Sequence, residues 1–175
     1  MSKKPNITQE MARAIIHYDP ESGIFTWRHR PELNKNWNAR YANKVAGYQS
    51  PRIGKVYWAL SMGNYPILAH RLAFIYMTGS APHVIDHIDG DGSNNAWSNL
   101  RAADKITNGA NAIRRKTNTS GYKGVSPHKT TGKWRATITY NRRQIALGIF
   151  DTPEAAHTAY AAKAIELFGE FARSE

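Results

Sequence analysis

Cysteine is absent from the 175 residues. That excludes a disulfide framework and any thiolate metal site, and it is compatible with a reducing compartment. Long apolar runs are also absent. No stretch approaches the roughly 20 residues that a membrane-spanning helix needs. The opening residues, MSKKPNITQE, hold no apolar segment of the kind a secretory signal requires. The third lack is local. From Lys105 to Phe150 there are ten Lys and Arg and not one Asp or Glu. No membrane partner and a cytoplasmic location are therefore expected.

What is present points to a polyanion. The net charge is +11 and the pI is near 10.0. Such a balance speaks of partners rather than of fold. The length suits one ordinary domain or two small ones. A basic stretch on its own is most often a solvated face. Here it directly follows a stretch with site chemistry, which favours contact with DNA.

That stretch is Val84 to Asn111, VIDHIDGDGSNNAWSNLRAADKITNGAN. Ile85 to Ile88 reads as a short strand end that delivers Asp86 and His87 side by side. Asp89 to Asn95 is loop chemistry. Leu100 to Ala103 can return as a second strand, Asp104 is a good helix N-cap, and Lys105 to Arg115 can run helical. An imidazole beside a carboxylate occupied elsewhere can act as a general base. Asp86 and Asn108 offer hard oxygens. Two of these with phosphate oxygens and waters suit one Mg²⁺ or Mn²⁺ ion. Asn99 can bridge backbone groups on both sides of the loop that holds His87. A base, a divalent metal and an open phosphate position describe metal-assisted phosphodiester hydrolysis.

Blander readings account for less. Asp- and Asn-rich loops are commonly just turns. An EF-hand loop counted from Asp89 needs Gly at its sixth position and Glu at its twelfth, where this chain has Asn94 and Leu100. A zinc site has no cysteine to use, and His70, His83 and His87 lack the paired spacing.

The order D-H-I-[DN]-G-D, then N-N, then N-L-R, with a further Asn on the following helix, resembles the HNH motif of the ββα-metal (His-Me finger) nucleases. The form is that of phage-encoded and homing endonucleases. The resemblance implies His87 as general base, Asp86 and Asn108 as metal ligands and Asn99 as the brace of the loop. Asn108 stands where the motif's name has a second His.

Before this motif, Ile7 to Tyr18 is expected as a short helix with Met11, Ile15 and Ile16 on its apolar side. Residues 1–5 are expected to be disordered. Asp19 to Gly23 reads as a turn and Ile24 to Arg28 as a strand. Arg30 to Lys44 is expected as a long polar loop. Short strands are expected over Val45–Tyr48, Tyr57–Met62 and Tyr65–Leu68. His70 to Met77 reads as an apolar helix ending at Gly79, with Leu72, Ala73, Tyr76 and Met77 buried against the nuclease hairpin. His70 is read as a structural histidine bonded within that packing rather than as a catalytic one. The segment from Ile15 to Gly79 resembles the N-terminal part of the same phage proteins.

After the motif, Arg114, Arg115 and Lys116 are placed for phosphates in a basic linker. From Gly121 onward the pattern changes. Val125, Trp134, Ala136 and Ile138 can share one face of a small sheet, while Arg135, Thr137 and Thr139 alternate to the other. Asn141 and Arg142 form a hairpin turn, and Gln144 to Leu147 a third strand. Thr152 caps a helix over Pro153–Phe168, with Ala156, Ala159, Tyr160 and Leu167 near one face. The free sheet face, with Lys123, Arg135, Thr137, Thr139 and Gln144, suits a major groove. Ser126, His128, Arg142 and Arg143 complete the expected contact set. The segments SGYKGV, GKWRATI and LGIFDTPEAAHTAY resemble the APETALA-type DNA-binding domain of plant ethylene-response factors. That domain also occurs beside HNH nucleases in phages. The base-contacting positions depart from the plant pattern, so plant sequence preference does not carry over.

The fold class expected is α+β. An N-terminal α/β region carries the ββα-metal unit, and a three-stranded antiparallel sheet packed on one helix follows. The divisions are a nuclease domain over 1–111, a basic linker over 112–120 and a DNA-binding domain over 121–175. The function expected is a metal-dependent, site-specific endonuclease of the phage homing type. It would be phage-encoded, act on double-stranded DNA in a bacterial host, and work as a monomer or a homodimer. The alternatives are a DNA-binding regulatory or architectural protein with a decayed nuclease unit, and the DNA-recognition arm of a recombinase.

Overall fold

A computed structural model describes residues 6–52, 54–63, 65–104 and 118–174. The chain divides into two units, Met1–Ala103 and Asp104–Glu175. Asn108, Arg114, Arg115 and Lys116, the helix expected after Asp104, and residues 1–5 lie outside the described residues.

The first unit opens on α1 (Gln9–Ile15), capped by the Thr8 side chain. It is shorter than the helix expected over Ile7–Tyr18. Ile16–Tyr18 instead form strand β1, which pairs antiparallel with β2 (Phe25–Trp27). The reason is burial. As a strand, this β-branched and aromatic triplet sinks both Ile16 and Tyr18 into the core and turns His17 outward. Met11, expected on the buried side, is 50% exposed, and Ala12 takes the core position. The side chains of Gln9 and Arg13 both donate to the Tyr76 carbonyl and so tie α1 to the helix below.

The expected loop over Arg30–Lys44 contains a helix, α2 (Lys35–Tyr41). Asn34 caps it by accepting from Trp37 N–H at 2.7 Å. None of its residues is fully buried, so it carries no apolar stripe for a periodicity argument to find. Three strands follow in the order β3 (Tyr48–Arg52), β4 (Lys55–Met62) and β5 (Tyr65–Leu68), all antiparallel. The strand expected over Val45–Tyr48 is displaced. Val45 makes only an isolated bridge to Thr26. Pro51 sits on an outer strand of this sheet, where its missing N–H costs least.

Helix α3 (Ala69–Thr78) ends at Gly79 in the left-handed conformation, as the spacing predicts. Leu72 and Ala73 are fully buried and Tyr76 and Met77 flank them. The core under this helix gathers Ile16, Tyr18, Phe25, Leu60 and Leu100. A hairpin of β6 (Val84–His87) and β7 (Leu100–Ala103) closes the unit, with Asp86 directly opposite Arg101 and His87 opposite Leu100.

The second unit is a three-stranded antiparallel sheet, β8 (Val125–His128), β9 (Lys133–Tyr140) and β10 (Arg143–Phe150), in the order β10-β9-β8. Asn141 and Arg142 have φ of 49° and 64°, the two positive values that a two-residue hairpin turn demands. Helix α4 (Pro153–Phe168) has Thr152 as its cap and Pro at its start. Its core stripe is Ala156, Tyr160, Ala164 and Phe168, one residue per turn. Ala159 and Leu167 border that stripe half-buried. Val125, Ala136 and Ile138 meet this helix from the sheet. The whole is a mixed α and β chain of small antiparallel sheets.

Candidate active site

Strand β6 ends at His87, and the chain then turns sharply, with Gly90 N–H donating to the His87 carbonyl. Asp86 and His87 are 4% and 6% exposed, which is unusual for such polar side chains. Each is therefore held by partners. Arg101, across the hairpin, places Nε at 2.9 Å and Nη2 at 2.8 Å from Asp86 Oδ2. The pair is buried and charge-assisted on both sides.

The loop from Ile88 to Asn99 is built on its own side chains. Asn99 is the hub. Its Oδ1 accepts from Asp89 N–H at 3.0 Å, and its Nδ2 donates to Asp89 Oδ1 at 3.0 Å and to the Asn94 carbonyl at 2.9 Å. The Asn99 carbonyl accepts from Ile88 N–H. Asp89 also accepts from Asp91 N–H and from the Asn94 amide. Burial alone would raise the Asp89 pKa, but the bonds from Asp91, Asn94 and Asn99 outweigh it and hold the carboxyl below its usual value.

Asn95 is the residue that sequence reasoning passed over. It is 2% exposed. Its Nδ2 donates to the Ser93 carbonyl at 2.9 Å, which leaves Oδ1 turned to His87 Nε2 at 3.4 Å. An amide oxygen only accepts, so this contact suits the tautomer with the ring proton on Nε2. Burial is the largest influence on the His87 pKa and carries it below 6.5, against the raising effects of Asn95, Asp89 and Asp86. The ring is thus neutral near pH 7.

Two distant elements prop this loop. The Tyr18 hydroxyl donates to the Asn95 carbonyl at 2.7 Å. Burial, with the Asp19 charge second, raises the Tyr18 pKa, so the phenol stays a donor. Gly23, at φ 73°, lies so close under Asn95 and Ala96 that a methyl group there would overlap their backbone. On the far side Gly92 lies against the Tyr57 ring and the Val56 carbonyl, at 2.7 Å from a methyl position. The paired Asn94-Asn95 of the motif is the signal that could have revealed Asn95. No local pattern marks Tyr18 or Tyr57.

His70 also departs from expectation. Its Nδ1 is buried and has no hydrogen-bond partner among the described residues. The bonded structural histidine expected is therefore not formed at that nitrogen. The ring instead stands on edge against His87, with centroids 5.1 Å apart and planes at 86°.

The donor set bears on a metal. Among the described residues no group of three or more His, Cys, Asp or Glu could enclose an ion. Asp86 contributes a hard anionic oxygen beside a neutral imidazole, inside a basic chain. That chemistry fits a hard divalent ion that keeps most of its own waters, not a zinc cage.

On the second unit, the strand register puts Ser126 and His128 beside Arg135 and Lys133. Thr137 and Thr139 continue that face, and Gln144 lies opposite Thr139 and bonds Thr137. Arg135, Thr139 and Gln144 are exposed. Arg142 and Arg143 are exposed at the hairpin tip. Lys123 precedes β8, and its Nζ donates to the Arg173 carbonyl at 2.9 Å. Burial, then the Arg173 charge, pushes its pKa down to about 8.

A model of the HNH endonuclease family matches residues 68–110, which contain Asp86, His87, Asn95, Asn99 and Asn108. The chain is 41% identical over 91 residues to Protein 3.8 of Escherichia phage T7, covering 52% of this chain and 74% of that protein. It is 32% identical over 132 residues to the uncharacterized HNH endonuclease L560 of Acanthamoeba polyphaga mimivirus, covering 70% of this chain and 68% of that one. No solved structure matches it significantly. Among the described residues no helix is long and apolar enough to cross a membrane.

Proposed function

The chain belongs to the HNH endonuclease family, and from that premise we propose that it is a divalent-metal-dependent, site-specific DNA endonuclease of the phage homing type. The observation that carries this reading is the setting of His87: buried, neutral, and oriented by Asn95 beside Asp86 at the end of β6. His87 Nδ1 takes the proton from a water as that water attacks the phosphorus, and the bond to the 3′ oxygen breaks. Proton transfer to a ring held by Asn95 and by the loop needs no rearrangement of the base. Asn99 keeps the loop closed across Asp89 and Asn94. Asp86 and Asn108 would hold one Mg²⁺ or Mn²⁺, which supplies charge stabilisation at the phosphate and at the departing oxygen. Arg101 limits where the Asp86 carboxylate can turn.

The second unit is read as an APETALA-type DNA-binding domain that provides affinity and target choice. Its support is the exposed row of Arg135, Thr139 and Gln144 with Arg142 and Arg143 at one end. The fit to a major groove is the same chemistry that the sequence suggests. Lys123, Arg114, Arg115 and Lys116 are secondary in this reading, as phosphate contacts at its margins.

The test is cleavage of supercoiled plasmid with added Mg²⁺ or Mn²⁺, scored as nicked against linear product. Chelator should abolish cutting. His87→Ala should lower the rate by about 10² or more, with DNA affinity nearly unchanged. Cutting that survives chelation would overturn the metal requirement, and cutting unaffected by the His87 change would overturn the base. Tight binding without any cleavage would instead favour a DNA-binding protein with an inactive nuclease unit.

A further inference from the structure

Three rings from separate elements meet at His87. Tyr57 comes from β4, His70 from the first turn of α3 and His87 from the end of β6. Their centroids lie 5.1 Å apart for His70–His87, 5.8 Å for Tyr57–His70 and 6.1 Å for Tyr57–His87. Each pair falls in the range where aromatic contacts are directional. The His70–His87 planes are nearly perpendicular, so the edge of one ring meets the face of the other. A ring in that position resists rotation of its neighbour about χ2, an angle that is broad for an imidazole. Asn95 supplies only one long bond to the His87 ring, at 3.4 Å.

His70 is also an expensive residue for its place. A ring nitrogen buried without a partner costs stability, and an apolar side chain would avoid that cost. What this place holds is a flat ring standing edge-on beside His87.

We propose that His70 and Tyr57 are positioning residues that fix the plane of the His87 imidazole for proton transfer. His70 acts through its ring contact with His87. The inference rests on the reading of His87 as the general base. Burial keeps His70 uncharged, with its pKa pushed down to about 3. A second positive charge is therefore not present when His87 takes up its proton. Tyr57 holds the other side of the pair and also supports the loop through Gly92.

The experiment compares the full-length wild-type protein with His70→Leu, His70→Phe, Tyr57→Leu and His87→Ala. The substrate is plasmid DNA that the wild type cuts, at saturating and subsaturating concentration with Mg²⁺. Leu fills the His70 volume without a flat ring, while Phe keeps the ring and discards both nitrogens. Positioning predicts that His70→Leu lowers kcat by about 10-fold or more, within the range a misplaced group can cost, with KM little changed. His70→Phe should keep kcat within about 3-fold of wild type, and Tyr57→Leu should lower kcat without raising KM. Melting curves of all variants show that each is folded, and the two Tyr57 and His70 positions give independent readings if one fails to fold. If His70→Leu keeps wild-type kcat, the proposal is overturned. If Phe is as poor as Leu, a nitrogen of His70 matters and the positioning role is wrong. Failure of the underlying reading looks different, because His87→Ala would then cut normally whatever the His70 variants do.

Discussion

At the scale of single residues, Asn99 is the side chain whose loss is simplest to forecast. Its amide makes three bonds across the loop, two to Asp89 and one to Asn94. Asn99→Ala leaves those groups to find water or go unpaired. It should lower stability by about 1–3 kcal/mol and reduce cleavage at the same time. Denaturant unfolding and a cleavage assay on the same preparation check this, and unchanged values in both would make Asn99 a surface turn residue. A second forecast concerns acid. His70 has its pKa near 3 when folded, against 6.5 in an exposed chain, and His87 is shifted in the same direction. As the pH falls below about 6.5 the unfolded chain takes up protons first. Stability is thus lost progressively between about pH 6.5 and pH 3, with no such penalty above that window. His70→Phe should flatten this acid limb in unfolding curves measured at several pH values. An unchanged limb would show that neither state's proton count depends on His70.

At the scale of elements, the β1–β2 turn acts as a prop for a loop some seventy residues later. Tyr18 bonds the Asn95 carbonyl and Gly23 lies against the Asn95–Ala96 backbone. Gly23→Ala should therefore strain the backbone at φ 73° and also push the loop. Gly54→Ala is the matched control, because φ is 77° there and nothing lies within 4 Å of the added methyl. The control should lose about 1–3 kcal/mol from backbone strain alone, and Gly23→Ala should lose more and also cleave poorly. Equal melting points and equal rates in the two variants would mean that the loop does not need this support. Such a prop could not be read locally. Asp19–Gly23 is legible as a turn from its residue types, but nothing in those types says what the turn leans on. Helix α2 was illegible for a related reason: it buries none of its residues, so no stripe betrays it.

At the scale of the whole molecule, the two units carry separate cores. A fragment ending near Lys116 should fold and keep Asp86, His87, Asn99 and Asn108, but lose most DNA affinity. The piece from about Thr117 onward should bind DNA without cutting it. Arg135→Ala should weaken binding, and the salt slope tells how. Loss of a phosphate contact lowers the slope of log affinity against log salt by about one unit. Loss of a base contact costs roughly 1–3 kcal/mol and relaxes preference at one position. Anisotropy titrations of the full chain, both fragments and the variant at several salt concentrations make the distinction. Affinity in the N-terminal fragment equal to that of the full chain would move the DNA anchor out of the second unit.

The sequence by itself determined the HNH motif and most of the local elements. Asp86, His87, Asn99 and Asn108 stand at motif spacing within a few turns of chain, and caps, turns and alternation are short-range. For that reason β7, α3, α4 and the Asn141–Arg142 hairpin fall where their residue types put them. Only the tertiary structure decided that Ile16–Tyr18 leave the helix for a strand, because burying both Ile16 and Tyr18 requires a core that the local pattern does not contain. It also decided that Asn95 meets His87 Nε2, that Arg101 pairs with Asp86, and that Lys123 reaches Arg173. Each of these depends on which atoms meet across the fold, and residue identity along the chain leaves that open.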